Sequence, residues 1–323
     1  MRALVTGSAG FIGSQLAESL VLDGHEVRGV DCFTPYYETE LKRANLAWLA
    51  MQPTFELIEA DLRTADIDPL LDGVEVVFHL AAQPGVRSSW GTAFSDYLEL
   101  NALVTQRVLE SARHHRLERL VYASSSSVYG TARTLPTPES EPCEPRSPYG
   151  VTKLAGEHLC ALYAESFGVP VVSLRYFSVY GPRQRPDMAL GRLIEAGLTA
   201  RPFRRYGRGD QVRDLVHVAD VVAATSAAGQ RDVAPGTVIN VASGEGASLH
   251  QLVALVEEAV GKPVPIESLP GQPGEVQHTL GDNGMARRSL GWEPRVPLES
   301  GVRDQVAFHR SSSVRVPPLC QHR

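Results

Sequence analysis

Residues 6–13 read TGSAGFIG. Gly7, Gly10 and Gly13 stand between a short apolar run, RALVT (2–6), and a helical pattern, FIGSQLAESLVLD (11–23). A strand that turns through glycines directly into a helix opens a βαβ unit. Gly7 suits the tight turn, Gly10 lets backbone approach a pyrophosphate, and Gly13 lets the helix lie close to the sheet. The helix start offers unpaired N–H groups and the positive end of the helix dipole to an anion. Asp31 closes the second expected strand, HEVRGVD (25–31), at the place where a carboxylate accepts hydrogen bonds from an adenosine ribose. An acid there repels a 2′-phosphate, so NAD is favoured over NADP.

The alternation continues. Strands are expected at FELIEAD (55–61), VEVVFHLA (74–81), RLVYASS (119–125) and VPVVSLRYF (169–177), with helices at about 92–115 and 148–167. Strands rich in β-branched residues, separated by helices, predict an α/β fold: a Rossmann-type doubly wound parallel sheet. Asp61 with Leu62 would flank the adenine, and Ala81 and Ala82 of HLAA would border the adjoining cofactor wall. After residue 177 the composition shifts. Eight arginines fall within 181–213 (Arg183, Arg185, Arg192, Arg201, Arg204, Arg205, Arg208, Arg213), among glycines and prolines. TVINVA (237–242) reads as a return to the sheet, and SLHQLVALVEEAV as a helix between loops. A smaller, interleaved C-terminal substrate lobe follows: 1–177 with about 212–243 as the NAD-binding domain, about 178–211 with 244–310 as the lobe, and 311–323 as a tail without usable pattern.

With 43% hydrophobic residues in 323, the chain can bury a large core. A net charge of −6 argues against a nucleic-acid or membrane-surface binder, and no run reaches the ~18 apolar residues of a membrane span. Cys32, Cys143, Cys160 and Cys320 are scattered without CxxC or histidine at ligand spacing, so neither a disulfide framework nor a metal site is expected. MRALVTG has no signal-peptide character, and a cytoplasmic protein is expected.

A second motif is SPYGVTK (147–153). Ser147 is a good N-cap and Pro148 suits the first helical position. Tyr149 and Lys153 are then i and i+4, on one helix face. A phenol titrates near ~10 and is a poor base at neutral pH; a nearby ammonium favours phenolate, so Lys153 and a positive nicotinamide would lower the Tyr149 pKa.

Glycine loop, strand-end serines (SSSSVYG, 124–130) and YxxxK in this order resemble the extended short-chain dehydrogenases/reductases that modify nucleotide sugars. Within them the chain most resembles UDP-glucuronate 4-epimerases, on DCFTPYYETELKRANL (31–46), AAQPGVR (81–87), GPRQRPDM (181–188) and QPGEV (272–276). The resemblance, over roughly residues 1–305, implies Ser125, Tyr149 and Lys153 as the catalytic set. It implies an NAD site at Gly7, Gly10, Phe11, Ile12, Gly13, Asp31, Asp61, Leu62, Ala81, Ala82, Tyr149, Lys153 and Tyr176. It implies a UDP-sugar site at Arg87, Ser126, Ser127, Ser178, Arg185, Arg192, Arg213, Gln272 and Glu275, and a homodimer through the helices near 92–115 and 148–167. The implied chemistry is oxidation at C4 of the sugar, with Tyr149 taking the hydroxyl proton, turnover of the 4-keto sugar, and reduction on the other face.

In glucuronate a C4 ketone makes the C5 carboxylate a β-keto acid, which loses CO2 when that bond stands perpendicular to the ketone plane. Ser126, Ser127 and Ser178 match the positions that would hold the carboxylate away from that geometry, with Arg185 as the basic neighbour. Decarboxylases of this kind read SEVYG and 4,6-dehydratases DEVYG; here both positions are neutral hydroxyls. Epimerisation with the carboxylate retained is therefore expected. The alternatives are a UDP-glucuronate decarboxylase, a UDP-glucose/galactose 4-epimerase, and a non-catalytic nucleotide-binding protein on the same fold.

Overall fold

The computed structural model describes residues 1–270 and 276–312. Its strands are β1 Arg2–Thr6, β2 Glu26–Asp31, β3 Phe55–Glu59, β4 Val76–His79, β5 Arg119–Ser125, β6 Val171–Tyr176, β7 Ser178–Tyr180, β8 Phe203–Tyr206, β9 Val212–His217, β10 Val238–Val241, β11 Gly246–Ser248 and β12 Ile266–Leu269. Its helices are α1 Phe11–Leu22, α2 Thr39–Asn45, α3 Asp68–Leu71, α4 Phe94–Tyr97, α5 Val104–Ala112, α6 Pro148–Phe167, α7 Ala189–Thr199, α8 Val218–Gln230, α9 Leu249–Val260, α10 Gly284–Leu290 and α11 Leu298–Ser312.

A seven-stranded sheet in the order β10-β6-β5-β4-β1-β2-β3 forms the centre, with every pairing parallel. The strand order reverses between β1 and β4, and a crevice opens there at the carboxyl ends of the strands. Successive strand residues feed opposite cores. Ala3, Val5, Val76 and Phe78 join α1 and α8 residues such as Leu16, Leu20, Val221 and Ala224. Leu4, Val77, Leu120 and Tyr122 join Val104, Val108 and Leu109 of α5 and Cys160 and Tyr163 of α6. Burial on both faces explains why these strands read as continuous apolar runs.

The smaller lobe has its own core, where Leu193 and Ile194 of α7 meet Leu252 and Val256 of α9 and Val302 and Val306 of α11. The expected boundary near residue 212 falls on β9, which pairs with β7 and β11 rather than with the large sheet. The chain re-enters the large unit through α8 and β10. The helix expected over 92–115 is present and unbroken from Phe94 to Ala112, with a change of winding inside it. It comprises a short turn at Gly91–Ala93, α4, a wide π turn at Leu98–Leu103, and α5. No helix among the described residues is long and apolar enough to cross a membrane.

Candidate active site

The nucleotide half of the crevice is built from glycine geometry. Gly7 has φ +71, and a Cβ there would lie 2.9 Å from the Ala81 nitrogen, so the turn out of β1 admits no side chain. A Cβ on Gly13 would lie 2.1 Å from the Gly7 carbonyl oxygen, which lets α1 sit directly on the loop. Gly10 is the N-cap of α1 and no side chain caps it. The first-turn N–H groups therefore face the cradle, as a pyrophosphate requires.

Asp31, at the end of β2, accepts from the Ala9 N–H at 3.0 Å and the Phe33 N–H at 2.8 Å, one bond on each carboxylate oxygen. Its remaining lone pairs are thus aimed by fixed backbone. Asp61 accepts from Arg63 through Nη2 at 2.7 Å and from its backbone N–H at 2.9 Å, and this hydrogen bonding holds its carboxyl below the usual range.

Gly7, Gly10, Phe11, Ile12, Gly13, Asp31, Asp61, Leu62, Ala81, Ala82, Tyr149, Lys153 and Tyr176, the whole expected cofactor set, line one cavity. The sequence reading missed Lys42, which lines it too. Its Nζ donates to the Thr34 carbonyl at 2.9 Å and lies 5.0 Å from the centre of the Tyr37 ring. Burial pulls its pKa down, with Asp31 opposing. Nothing in TELKRAN marks this lysine as buried, because only the fold turns it inward.

The reacting half lies where β5 meets α6. Ser147 accepts from the Gly150 N–H at 3.1 Å and Pro148 takes the first helical position, so the sequence-level cap sets the start of α6 and with it the place of Tyr149. Lys153 Nζ donates to the Ala123 carbonyl at 2.7 Å and lies over the Tyr122 ring. Burial pulls Lys153 down to about 8, against the charges of Cys160 and Glu157. The Tyr149 phenol is raised by burial, while its hydrogen bond with Ser125 and the charge of Arg185 act the other way. The lowering expected from Lys153 is not among the influences on the phenol, which stays raised because it is desolvated. Asn101, buried in the wide turn before α5, was also missed. Its amide donates to the Gln83 carbonyl at 3.1 Å and to Thr152 Oγ1 at 2.9 Å, tying the cavity wall to α6.

Ser125 ends β5 and accepts from the Ser127 N–H at 3.2 Å, which closes the turn Ser126–Val128. Ser126 and Ser127 are half-buried, and neither hydroxyl has a partner among the described residues. Ser178 opens β7 two positions beyond Tyr176, the register neighbour of Ser125. Arg185 lines the cavity, held by Asp187 at 3.0 Å. Asp187 also accepts from the Tyr36 hydroxyl at 3.2 Å. Arg87, Arg192 and Arg213 stand outside the lining. Arg87 stacks 4.8 Å from the Tyr206 ring centre, Arg192 on α7 lies over Phe203, and Arg213 on β9 donates to the Val212 carbonyl. Gln272 and Glu275 lie outside the described residues.

A glycine cradle with an aimed carboxylate, beside a serine–tyrosine–lysine set, defines the class. The chain belongs to the NAD dependent epimerase/dehydratase family, whose model matches residues 3–242. It is 43% identical over 309 residues to the uncharacterized UDP-glucose epimerase YtcB of Bacillus subtilis (strain 168), covering 95% of this chain and 98% of that protein. It is 35% identical over 333 residues to the probable UDP-glucuronate 4-epimerase of Rhizobium meliloti (strain 1021), covering 96% and 97%. Among solved structures it is similar to UDP-glucuronic acid 4-epimerase from Bacillus cereus in complex with UDP-glucuronic acid and NAD. The TM-score is 0.94 at 40% identity, covering 96% of this chain and 99% of the other.

Proposed function

We propose that this protein is an NAD-dependent nucleotide-sugar 4-epimerase, an isomerase, and that its substrate pair is UDP-glucuronate and UDP-galacturonate. The observation that carries the uronate reading is the turn after Ser125. Two half-buried hydroxyls, Ser126 and Ser127, stand there with no partner among the described residues and no carboxylate in the turn. Arg185 lines the adjoining cavity. Neutral donors with a guanidinium suit a carboxylate that must be held and not expelled. The relatives from Rhizobium meliloti and Bacillus cereus support the same substrate.

The glycine cradle, Asp31 and Lys42 fit an NAD. When bound, it supplies the acceptor and donor of hydride at C4. Tyr149 takes the proton of the sugar 4-hydroxyl and returns it to the same oxygen. Ser125 bridges that phenol and oxygen, and the charges of Lys153 and Arg185 favour the phenolate. Ser126, Ser127 and Ser178 hold the carboxylate of the 4-keto sugar. Arg192, Gln272 and Glu275 of the smaller lobe, formed by about 178–211 with 244–310, and Arg87 and Arg213 from outside those ranges are assigned to the sugar nucleotide. A cytoplasmic homodimer is the expected form. Leu98, Leu103, Val151, Leu162 and Phe167 are exposed on the two segments that would pair.

The test is incubation with UDP-glucuronate and NAD, resolving products by NMR. UDP-galacturonate supports the reading. UDP-pentose would make the protein a decarboxylase, and turnover of UDP-glucose alone would make it a neutral-sugar epimerase.

A further inference from the structure

A buried ion pair lies beside the serines and has no part in the chemistry described above. Glu157 and Arg175 have side chains only 4% and 6% exposed, and Arg175 Nη2 is 2.7 Å from Glu157 Oε2. Glu157 is on α6, one turn beyond Lys153 and two beyond Tyr149, so the three share a helix face. Arg175 is on β6, directly opposite Ser124 in the β5–β6 register. Ser124 Oγ donates to Glu157 Oε1, the oxygen that also accepts from Arg175 Nε at 3.0 Å. One carboxylate thus joins α6, β5 and β6 at the residue before Ser125.

Arg175 also reaches the far end of the serine turn. Its guanidinium lies 4.6 Å from the centre of the Tyr129 ring and donates to the Glu139 carbonyl at 3.1 Å. Tyr129 in turn donates to Asn240 on β10 at 2.7 Å. The turn carrying Ser125, Ser126 and Ser127 is therefore gripped at Ser124 on one side and Tyr129 on the other, both through the same pair. A buried ion pair is weak evidence for stability, since well-packed apolar side chains serve as well. What it provides here is directional bonding to two strands and a helix at one register.

The geometry points to Glu157, acting with Arg175, as a positioning residue that fixes the serine turn against Tyr149 and so sets both turnover and carboxylate retention. This rests on the epimerase reading. Glu157 is not among the residues lining the cavity, so binding of substrate and cofactor should survive its loss while the reacting atoms move out of line.

The experiment compares Glu157→Gln and Ser124→Ala with wild type, normalising kcat to the NAD content of each preparation so that unfolded protein does not count. For Glu157→Gln, NAD affinity, read by titration of the purified protein, and KM for the sugar nucleotide are expected to hold; Ser124 itself lines the cavity, so Ser124→Ala is read on normalised kcat and CO2 ratio alone. The normalised kcat is expected to fall about tenfold to hundredfold, the scale of a misplacement near 1 Å, and CO2 released per turnover to rise. Ser124→Ala removes only the hydroxyl, which keeps the test open if Glu157→Gln does not fold. A Ser124→Ala protein with wild-type normalised kcat and CO2 ratio overturns the inference. Failure of wild type to act on UDP-glucuronate would instead sink the substrate reading; the same kcat comparison is then made on UDP-glucose.

Discussion

Replacing both Ser126 and Ser127 by alanine should change what the enzyme makes, and not only how fast. The turn itself should survive, because it is closed by the Ser127 N–H on Ser125 Oγ at 3.2 Å, a bond the substitutions leave in place. Ser178 and Arg185 remain, so UDP-glucuronate should still bind. What is lost is two donors to an anion. Each such bond is worth roughly 1.5–3 kcal/mol, or about ten- to hundredfold in how often the carboxylate leaves its held position, at about 1.4 kcal/mol per factor of ten. In the 4-keto state a freed carboxylate can rotate perpendicular to the ketone and leave as CO2. The assay counts CO2 per UDP-galacturonate formed and follows NADH by absorbance. The double variant is expected to release CO2 at a ratio at least tenfold above wild type, giving a UDP-4-keto-pentose, with NADH left behind whenever that ketone escapes. A variant that is merely slower, with the wild-type CO2 ratio, refutes the clamp.

Tyr149→Phe removes the proton acceptor and should lower kcat by about 10²–10⁴-fold while UDP-sugar affinity, measured by calorimetry, stays near wild type. Asp31→Ala removes the acceptor aimed by the Ala9 and Phe33 N–H groups. It should weaken NAD binding and narrow the preference over NADP, and unchanged affinities for both would take Asp31 out of the ribose site. Lys153 gives a pH signature. Folding lowers its pKa from 10.5 to about 8, so between those values the unfolded chain binds more protons and stability rises with pH. Urea unfolding of the NAD-free protein from pH 7 to pH 10 should show wild type gaining on Lys153→Met; a constant difference would mean that Lys153 is not desolvated.

The parts of this architecture that were legible in the sequence are those where local and tertiary demands agree. β5 at 119–125 and α6 at 148–167 fall where the sequence places them. β5 is apolar from Leu120 to Ala123, and α6 is bounded by the Ser147–Pro148 start and by Gly168, at φ +69. The glycine loop was legible because its spacing is its geometry. The single helix expected over 92–115 is there, but its π turn was not legible, because Asn101 is drawn inward to Gln83 and Thr152, a demand from other elements that periodicity cannot register. The stretch from about 212 is expected in the large domain, but β9 there pairs with β7 and β11 of the small sheet, a choice of partner that local pattern does not reveal. Lys42 and Glu157 escaped for a related reason: each is a charged residue in a helical stretch, where charge ordinarily means solvent, and only the assembled fold buries them.

The proposed mechanism requires that C4 be oxidised and re-reduced in one site while the carboxylate stays in place. The most direct measurement uses UDP-glucuronate carrying deuterium at C4, with mass and NMR analysis of the product. Deuterium taken from C4 and returned to C4 should appear undiminished in UDP-galacturonate, inverted at that carbon, with negligible CO2. Deuterium lost to water, or a product one carbon shorter, would contradict it.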